Sequence, residues 1–122
     1  MPYAYRKSER IRKNTEFLAT MKGKRLSIDG LSLFYRKTDG VNFRVGISVS
    51  KKLGNAVTRN HLRRQIRSCI TKVLGEYAAG YDLVFVARKG LAELAFDQIL
   101  KTVTRALQRS AVIDQRAEGS RP

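Results

Sequence analysis

Arg59, Asn60, Arg63, Arg64 and Arg67 lie within one short stretch of chain, and between residues 40 and 75 there are eight Lys or Arg and no Asp or Glu. A guanidinium is a planar, permanently charged fork that grips a phosphate through two parallel N–H donors. At 100° per residue on a helix, Asn60, Arg63, Arg64, Arg67 and Thr71 fall within about a third of the circumference. Arg63 and Arg67, one turn apart, share a side. Arg59 and Asn60 sit in the first turn, where unpaired N–H groups and the helix dipole also favour anions. Lys51 and Lys52 add charge just before a Gly54-Asn55 turn. The plain alternative is a solubilising face. Ordinary solvated helices interleave the two signs to gain pair energy, and the absence of any acid here argues against it.

Other chemistries find little support. Cys69 is the one cysteine, which excludes an internal disulfide, and it falls in the apolar stripe of the same helix. His61 is the one histidine and has no partners at metal-site spacing. The ten acidic residues form no paired motif of the kind a metal-dependent nuclease needs. No catalytic residue and no metal ligand is therefore assigned to this chain.

A second group of residues, outside the basic helix, is aromatic, small and polar, or basic. Phe17 and Met21 are four apart and share a helix face. Phe17 is either a core staple or a platform on which a base stacks, an interaction of about 1–3 kcal/mol that tolerates any base. Phe34 and Tyr35 point to opposite faces of a strand. Tyr35 runs with Leu31 and Leu33, and Phe34 with Ser32 and Arg36, so periodicity puts Phe34 on the polar side. Ser48 lies on the small polar face of its strand. Arg88 and Lys89 leave the end of a later strand, either to guide an anionic backbone or as plain surface charge.

The elements that must position these groups follow from periodicity. Asn14 is expected to cap a two-turn helix, with Glu16 in its first turn. One strand is expected over 26–37 and another over 42–50, joined as a hairpin by Thr38-Asp39-Gly40. In the second, Phe43, Val45, Ile47 and Val49 alternate with Arg44, Gly46, Ser48 and Ser50. The basic helix should run over 56–77 with Leu62, Ile66, Cys69, Ile70, Val73, Leu74 and Tyr77 as its apolar stripe. Residues 82–87 are apolar on both faces and predict a central strand. A last helix, 95–109, buries Phe96, Ile99, Leu100, Val103, Ala106 and Leu107. The expected fold is a single α+β domain, helix-strand-strand-helix-strand-helix, with one mixed sheet, helices packed on one face and the other face partly open. Residues 1–13 read as a basic arm, 14–109 as the folded domain and 110–122 as a tail.

With 122 residues, a net charge of +15 and 43% hydrophobic residues, the chain can fold and yet repels itself without a polyanion. Nucleic acid is the first candidate, anionic membrane the second and an acidic protein the third. The basic N-terminal segment lacks the apolar run of a signal peptide, and no stretch approaches the roughly 20 apolar residues that span a bilayer. A reducing, cytoplasmic compartment is expected.

The run from Phe43 to Arg67, FRVGISVSKKLGNAVTRNHLRRQIR, resembles the signature of the bacterial ribonuclease P protein subunit. Looser agreement at Asn14-Thr15-Glu16-Phe17, Leu33-Phe34-Tyr35 and Val84-Phe85-Val86-Ala87-Arg88-Lys89-Gly90 extends it over about residues 8–109. The resemblance implies a ribosomal protein S5 domain 2-like fold with a left-handed βαβ crossover, where chirality rules alone favour a right-handed one. It implies that Lys51, Lys52, Asn55, Arg59, Asn60, Arg63, Arg64 and Arg67 hold a large catalytic RNA. Phe17, Met21, Tyr35, Ser48, Arg88 and Lys89 would line a cleft for the single-stranded 5′ leader of precursor tRNA; here Tyr35, not Phe34, takes the aromatic role. Phosphodiester hydrolysis would belong to the RNA and its Mg²⁺, with no cofactor on the protein, no membrane and no protein partner. Two residues depart from the usual pattern: His61 stands where Arg is common, and Met21 where Phe is.

Two other function classes fit the charge. A structural ribosomal protein would use the same helix to cement rRNA, and co-purification with ribosomal subunits rather than one RNA would mark it. A helix-turn-helix DNA binder needs a second helix three or four residues from the basic one, and none is expected.

Overall fold

The computed structural model describes residues 11, 14–40, 43–74 and 80–110. The rest of the basic arm, the tail beyond Ser110 and the end of the basic helix expected over 75–77 lie outside the described residues. The elements are α1 (Asn14–Met21), β1 (Lys24–Ile28), β2 (Leu31–Lys37), β3 (Arg44–Val49), a short 3-10 helix (Lys51–Leu53), α2 (Ala56–Leu74), β4 (Tyr81–Ala87), α3 (Lys89–Ala92) and α4 (Phe96–Arg109). The four strands form one mixed sheet in the order β1-β2-β4-β3. β2 is antiparallel to both of its neighbours, and β3 is parallel to β4.

Two sequence expectations need correction. The segment expected as one strand is two, turned at Asp29-Gly30. Thr38-Asp39-Gly40 does not close a hairpin, because β4 lies between β2 and β3. The same Asp-Gly signal occurs twice, and tertiary context selects the hairpin at the first. There Asp29 (φ 46°) and Gly30 (φ 85°) both take the left-handed backbone such a turn requires. The Arg88 amide donates to the Gly30 carbonyl at 2.7 Å. A Cβ on Gly30 would run into the backbone of Gly90 and Leu91.

Alternation along the strands sorts the two faces. Leu31, Leu33, Val45, Val49, Leu83, Phe85 and Ala87 meet Leu62, Ile66, Cys69, Ile70 and Leu74 of α2 and Ile99, Val103, Ala106 and Leu107 of α4 in one core. β4 is central, as its apolar faces predict. The opposite face carries Ser27, Ser32, Phe34, Arg44, Gly46, Ser48, Asp82, Val84 and Val86, and α1 covers only part of it.

An ion network attaches α1 to that second face. Asp82 is wholly inaccessible to solvent, and its carboxylate accepts from Arg44 at 2.8 Å and from Arg36 at 3.0 Å. Arg44 also donates to Glu16 of α1 at 2.7 Å. Burial by itself pushes the Asp82 carboxyl up, but the hydrogen bonds from Arg44 and Arg36 outweigh it and hold the group below the usual carboxylate range. The same bonds, to Asp82 first and Glu16 second, keep Arg44 firmly protonated. Thr20 closes the helix from within by donating to the Glu16 carbonyl.

Two outcomes follow from this arrangement. Gly30→Ala should lower unfolding stability by about 1–3 kcal/mol in urea titrations, while Gly40→Ala, whose added Cβ would meet only the Thr38 hydroxyl at an ordinary van der Waals distance of 3.5 Å, stays within about 0.5 kcal/mol. Asp82→Asn should cost about 2 kcal/mol at pH 7, since it leaves two guanidinium groups without their shared counter-charge. Because folding lowers the Asp82 pKa, its contribution is complete above the ordinary carboxylate value and drains away as pH falls below about 4. The wild-type and variant stability curves should therefore converge in acid.

Candidate nucleic-acid interface

The basic helix begins with a built N-terminus. Asn55 Oδ1 accepts from the Thr58 amide at 2.9 Å, which makes Asn55 the N-cap of α2. Before it, the Ser50 hydroxyl accepts from the Lys52 amide and opens the 3-10 helix that presents Lys51 and Lys52, both exposed. Arg59 Nε donates back to the Gly54 carbonyl at 3.2 Å, so its guanidinium folds over the turn. Asn60 Oδ1 accepts from Arg63 at 3.1 Å, and this ties two of the expected contacts into one unit. Arg64 is exposed and Arg67 half-buried, and with Ser68, Thr71 and Lys72 they line a concavity of about 370 Å³.

All eight residues expected to hold RNA thus lie on the 3-10 helix, the turn and α2, on the edge adjoining the buried stripe. Lys51, Lys52, Asn55, Asn60 and Arg64 are exposed, while Arg59, Arg63 and Arg67 are half-buried. Val57, 77% exposed, adds an apolar contact at the start of this surface. Asn55 has a structural task that sequence reasoning missed, although an Asn just before a helix is the standard signal for it. Burial pushes the Cys69 thiol up to about 11, as suits a core residue rather than a nucleophile.

The second group assembles on the other side of the sheet. The Phe17 ring lies over Gly46, where an added Cβ would sit 2.9 Å from the ring and 3.6 Å from Val84. Gly46 is thus small for a reason: it lets the aromatic ring approach the sheet backbone closely. Met21 is half-buried on the same helix, and Leu18 stands 50% exposed. Ser48 follows Gly46 on this face. Beyond α1 the trough continues to Ser32, whose hydroxyl accepts from Arg88 Nε at 3.3 Å. Lys89 is exposed at the start of α3.

Tyr35 is a correction. It packs against the core of α2 and α4, in step with Leu31 and Leu33. Phe34 takes the face of Phe17, opposite Val84 on one side and Arg25 on the other. The Arg25 guanidinium lies 5.9 Å from the centre of its ring. Simple alternation placed Phe34 correctly. Strand pairing sets Phe34 beside Arg25 and Val84, as that alternation implies.

The Glu16–Arg44–Asp82–Arg36 network was also missed. Its signal is a single acid, Asp82, at the head of an otherwise apolar strand. Among the described residues, no three His, Cys, Asp or Glu side chains gather closely enough to hold a metal ion. No helix among them is long and apolar enough to cross a membrane.

The arrangement presents two separate surfaces: a guanidinium edge along α2, and a trough floored by small side chains and flanked by Phe17 and Phe34. Known proteins share this fold. A sequence model described as Ribonuclease P matches residues 5–111. The ribonuclease P protein component of Bacillus cereus (strain B4264) is 38% identical over 109 residues, covering 88% of this chain and 95% of that protein. The structure of the Staphylococcus aureus RNase P protein superposes with a TM-score of 0.80 at 33% identity, over 88% of this chain and 100% of the other. The Thermotoga maritima RNase P protein gives 0.75 at 30% identity, over 82% and 96%. These likenesses favour an RNA-processing subunit over a structural rRNA-binding protein. The chain belongs to the family of ribonuclease P protein components.

Proposed function

We propose that this chain binds a catalytic ribonuclease P RNA through the α2 edge and the 5′ leader of precursor tRNA through the trough under α1. Hydrolysis of the phosphodiester belongs to the RNA, together with the magnesium it binds, and the compartment is the cytoplasm. The observation that carries this reading is the physical separation of the two surfaces. Arg64 and the Asn60–Arg63 pair project from a helix packed on one sheet face, whereas Phe17 lies on the other. One chain can then hold a structured RNA and a single strand at once. A single strand needs stacking platforms and nearby positive charge. Phe17, half-buried, supplies the first, and Arg25 and Arg88, both exposed, supply the second.

Reconstitution tests the proposal. Mixed with a bacterial ribonuclease P RNA, the chain should support precursor tRNA cleavage at low magnesium, where neither component alone cuts. Cleavage by repurified, RNA-free protein would overturn the assignment of catalysis. Arg64→Ala should weaken binding of the ribozyme RNA and flatten the slope of log affinity against log salt by about 0.7–0.9, the signature of one lost phosphate contact. Phe17→Ala should weaken holoenzyme binding of precursor tRNA by about 1–3 kcal/mol. That loss should vanish when the leader is cut to one or two nucleotides. An equal loss with mature tRNA would mean that Phe17 serves only to hold α1.

A further inference from the structure

At the hairpin end of the sheet, beyond the reach of α1, Arg25, Ser27, Asp29, Ser32 and Arg88 line a cavity of about 340 Å³. Its walls are organised. Ser32 is 3% exposed, and its hydroxyl is shared between Ser27 Oγ at 2.9 Å and Arg88 Nε at 3.3 Å. One end of the Arg88 fork is thereby pinned, and its terminal nitrogens make no bond among the described residues. The Arg88 amide is held as well, by the Gly30 carbonyl at 2.7 Å. Ser27 Oγ, exposed, keeps hydrogen-bonding capacity to spare, since a hydroxyl has one donor and two acceptor sites. Arg25 stands at the mouth, 5.9 Å from the centre of the Phe34 ring. The cavity therefore continues the aromatic trough.

The pocket mixes donors with acceptors, and this decides what it takes. A phosphate presents only acceptors and would meet the Asp29 carboxylate as a like charge. A nucleobase presents both kinds of group along one edge. A fixed guanidinium fork matches two adjacent acceptors, and guanine has them in O6 and N7. Guanine also carries N–H donors on its other edge, suited to Asp29 or to a serine oxygen. We infer that this cavity is a base-reading subsite, in which the fork of Arg88, oriented by Ser32, selects guanine at one position of the bound single strand. The inference rests on the leader trough proposed above. It adds sequence preference to a surface whose stacking is indifferent to sequence.

The test uses reconstituted holoenzyme and precursor tRNAs whose leader is all uridine except for one guanosine, moved one position at a time. At one position guanosine should tighten binding about tenfold over uridine, a single bidentate contact's worth of discrimination. Adenosine there should not, and 7-deazaguanosine, which lacks the N7 acceptor, should bind like uridine. Arg88→Lys keeps the charge but loses the fork, and it should erase the preference; Ser32→Ala, which frees the fork, should weaken it. A leader with no guanosine-sensitive position would overturn the inference, as would a preference that survives in Arg88→Lys. Phe17→Ala separates the two failures. If it still weakens leader binding, the trough stands and only the subsite falls; if it does not, the trough itself is wrong.

Discussion

Asp82 is a carboxylate with no access to water, and its position is tenable only because Arg36 and Arg44 close on it from the neighbouring strands. Replacing such a group by an apolar one of the same volume is often neutral or stabilising, so net stability is a weak reason for it. Orientation is a better one. Arg44 divides its guanidinium between Asp82 of the sheet and Glu16 of α1. The helix is only eight residues long, so packing of so short an element would by itself locate it loosely. The directional ion pair fixes where it lies, and with it the place of the Phe17 ring over Gly46.

The two faces of the sheet are built by different physics. One is a conventional core, where α2 and α4 cover Leu, Val, Ile and Phe side chains. The other is polar and finely stepped: hydroxyls, a glycine and the guanidinium groups of Arg25, Arg36, Arg44 and Arg88 surround a few apolar contacts. A wholly apolar face left this open would invite aggregation. A wholly charged one would offer nothing for a base to stack on. The mixture lets α1 cover one end while the other stays accessible to a strand.

On α2 the division is by angle around one helix. The buried stripe anchors the element, so its cationic edge can be dense without unfolding it, and the Asn55 cap fixes where that edge begins. The self-repulsion of so many like charges is relieved locally by bonds such as Arg59 to Gly54 and Arg63 to Asn60. These bonds also restrict the guanidinium groups before any anion arrives, which lowers the entropy cost of contact.

Much of this was legible in the sequence because it depends on local periodicity. The stripe and cationic edge of α2, the alternation of β3, the central character of β4 and the burial of Cys69 follow from residue spacing alone. So did the family, through the long run from Phe43 to Arg67. What needed tertiary structure was pairing. Strand order inserts β4 between β2 and β3, and so it decides which Asp-Gly step becomes a hairpin. Alternation had already set Phe34 apart from Leu31, Leu33 and Tyr35, and the structure keeps it so, where the resemblance had pointed to Tyr35. The meetings of Asp82 with Arg44 and of Ser32 with Arg88 join residues 38 and 56 positions apart. Spacing along a chain fixes which face a side chain shares with its near neighbours. It carries no information about which distant strand lies alongside, since that is settled by how the whole set of apolar faces can be buried at once.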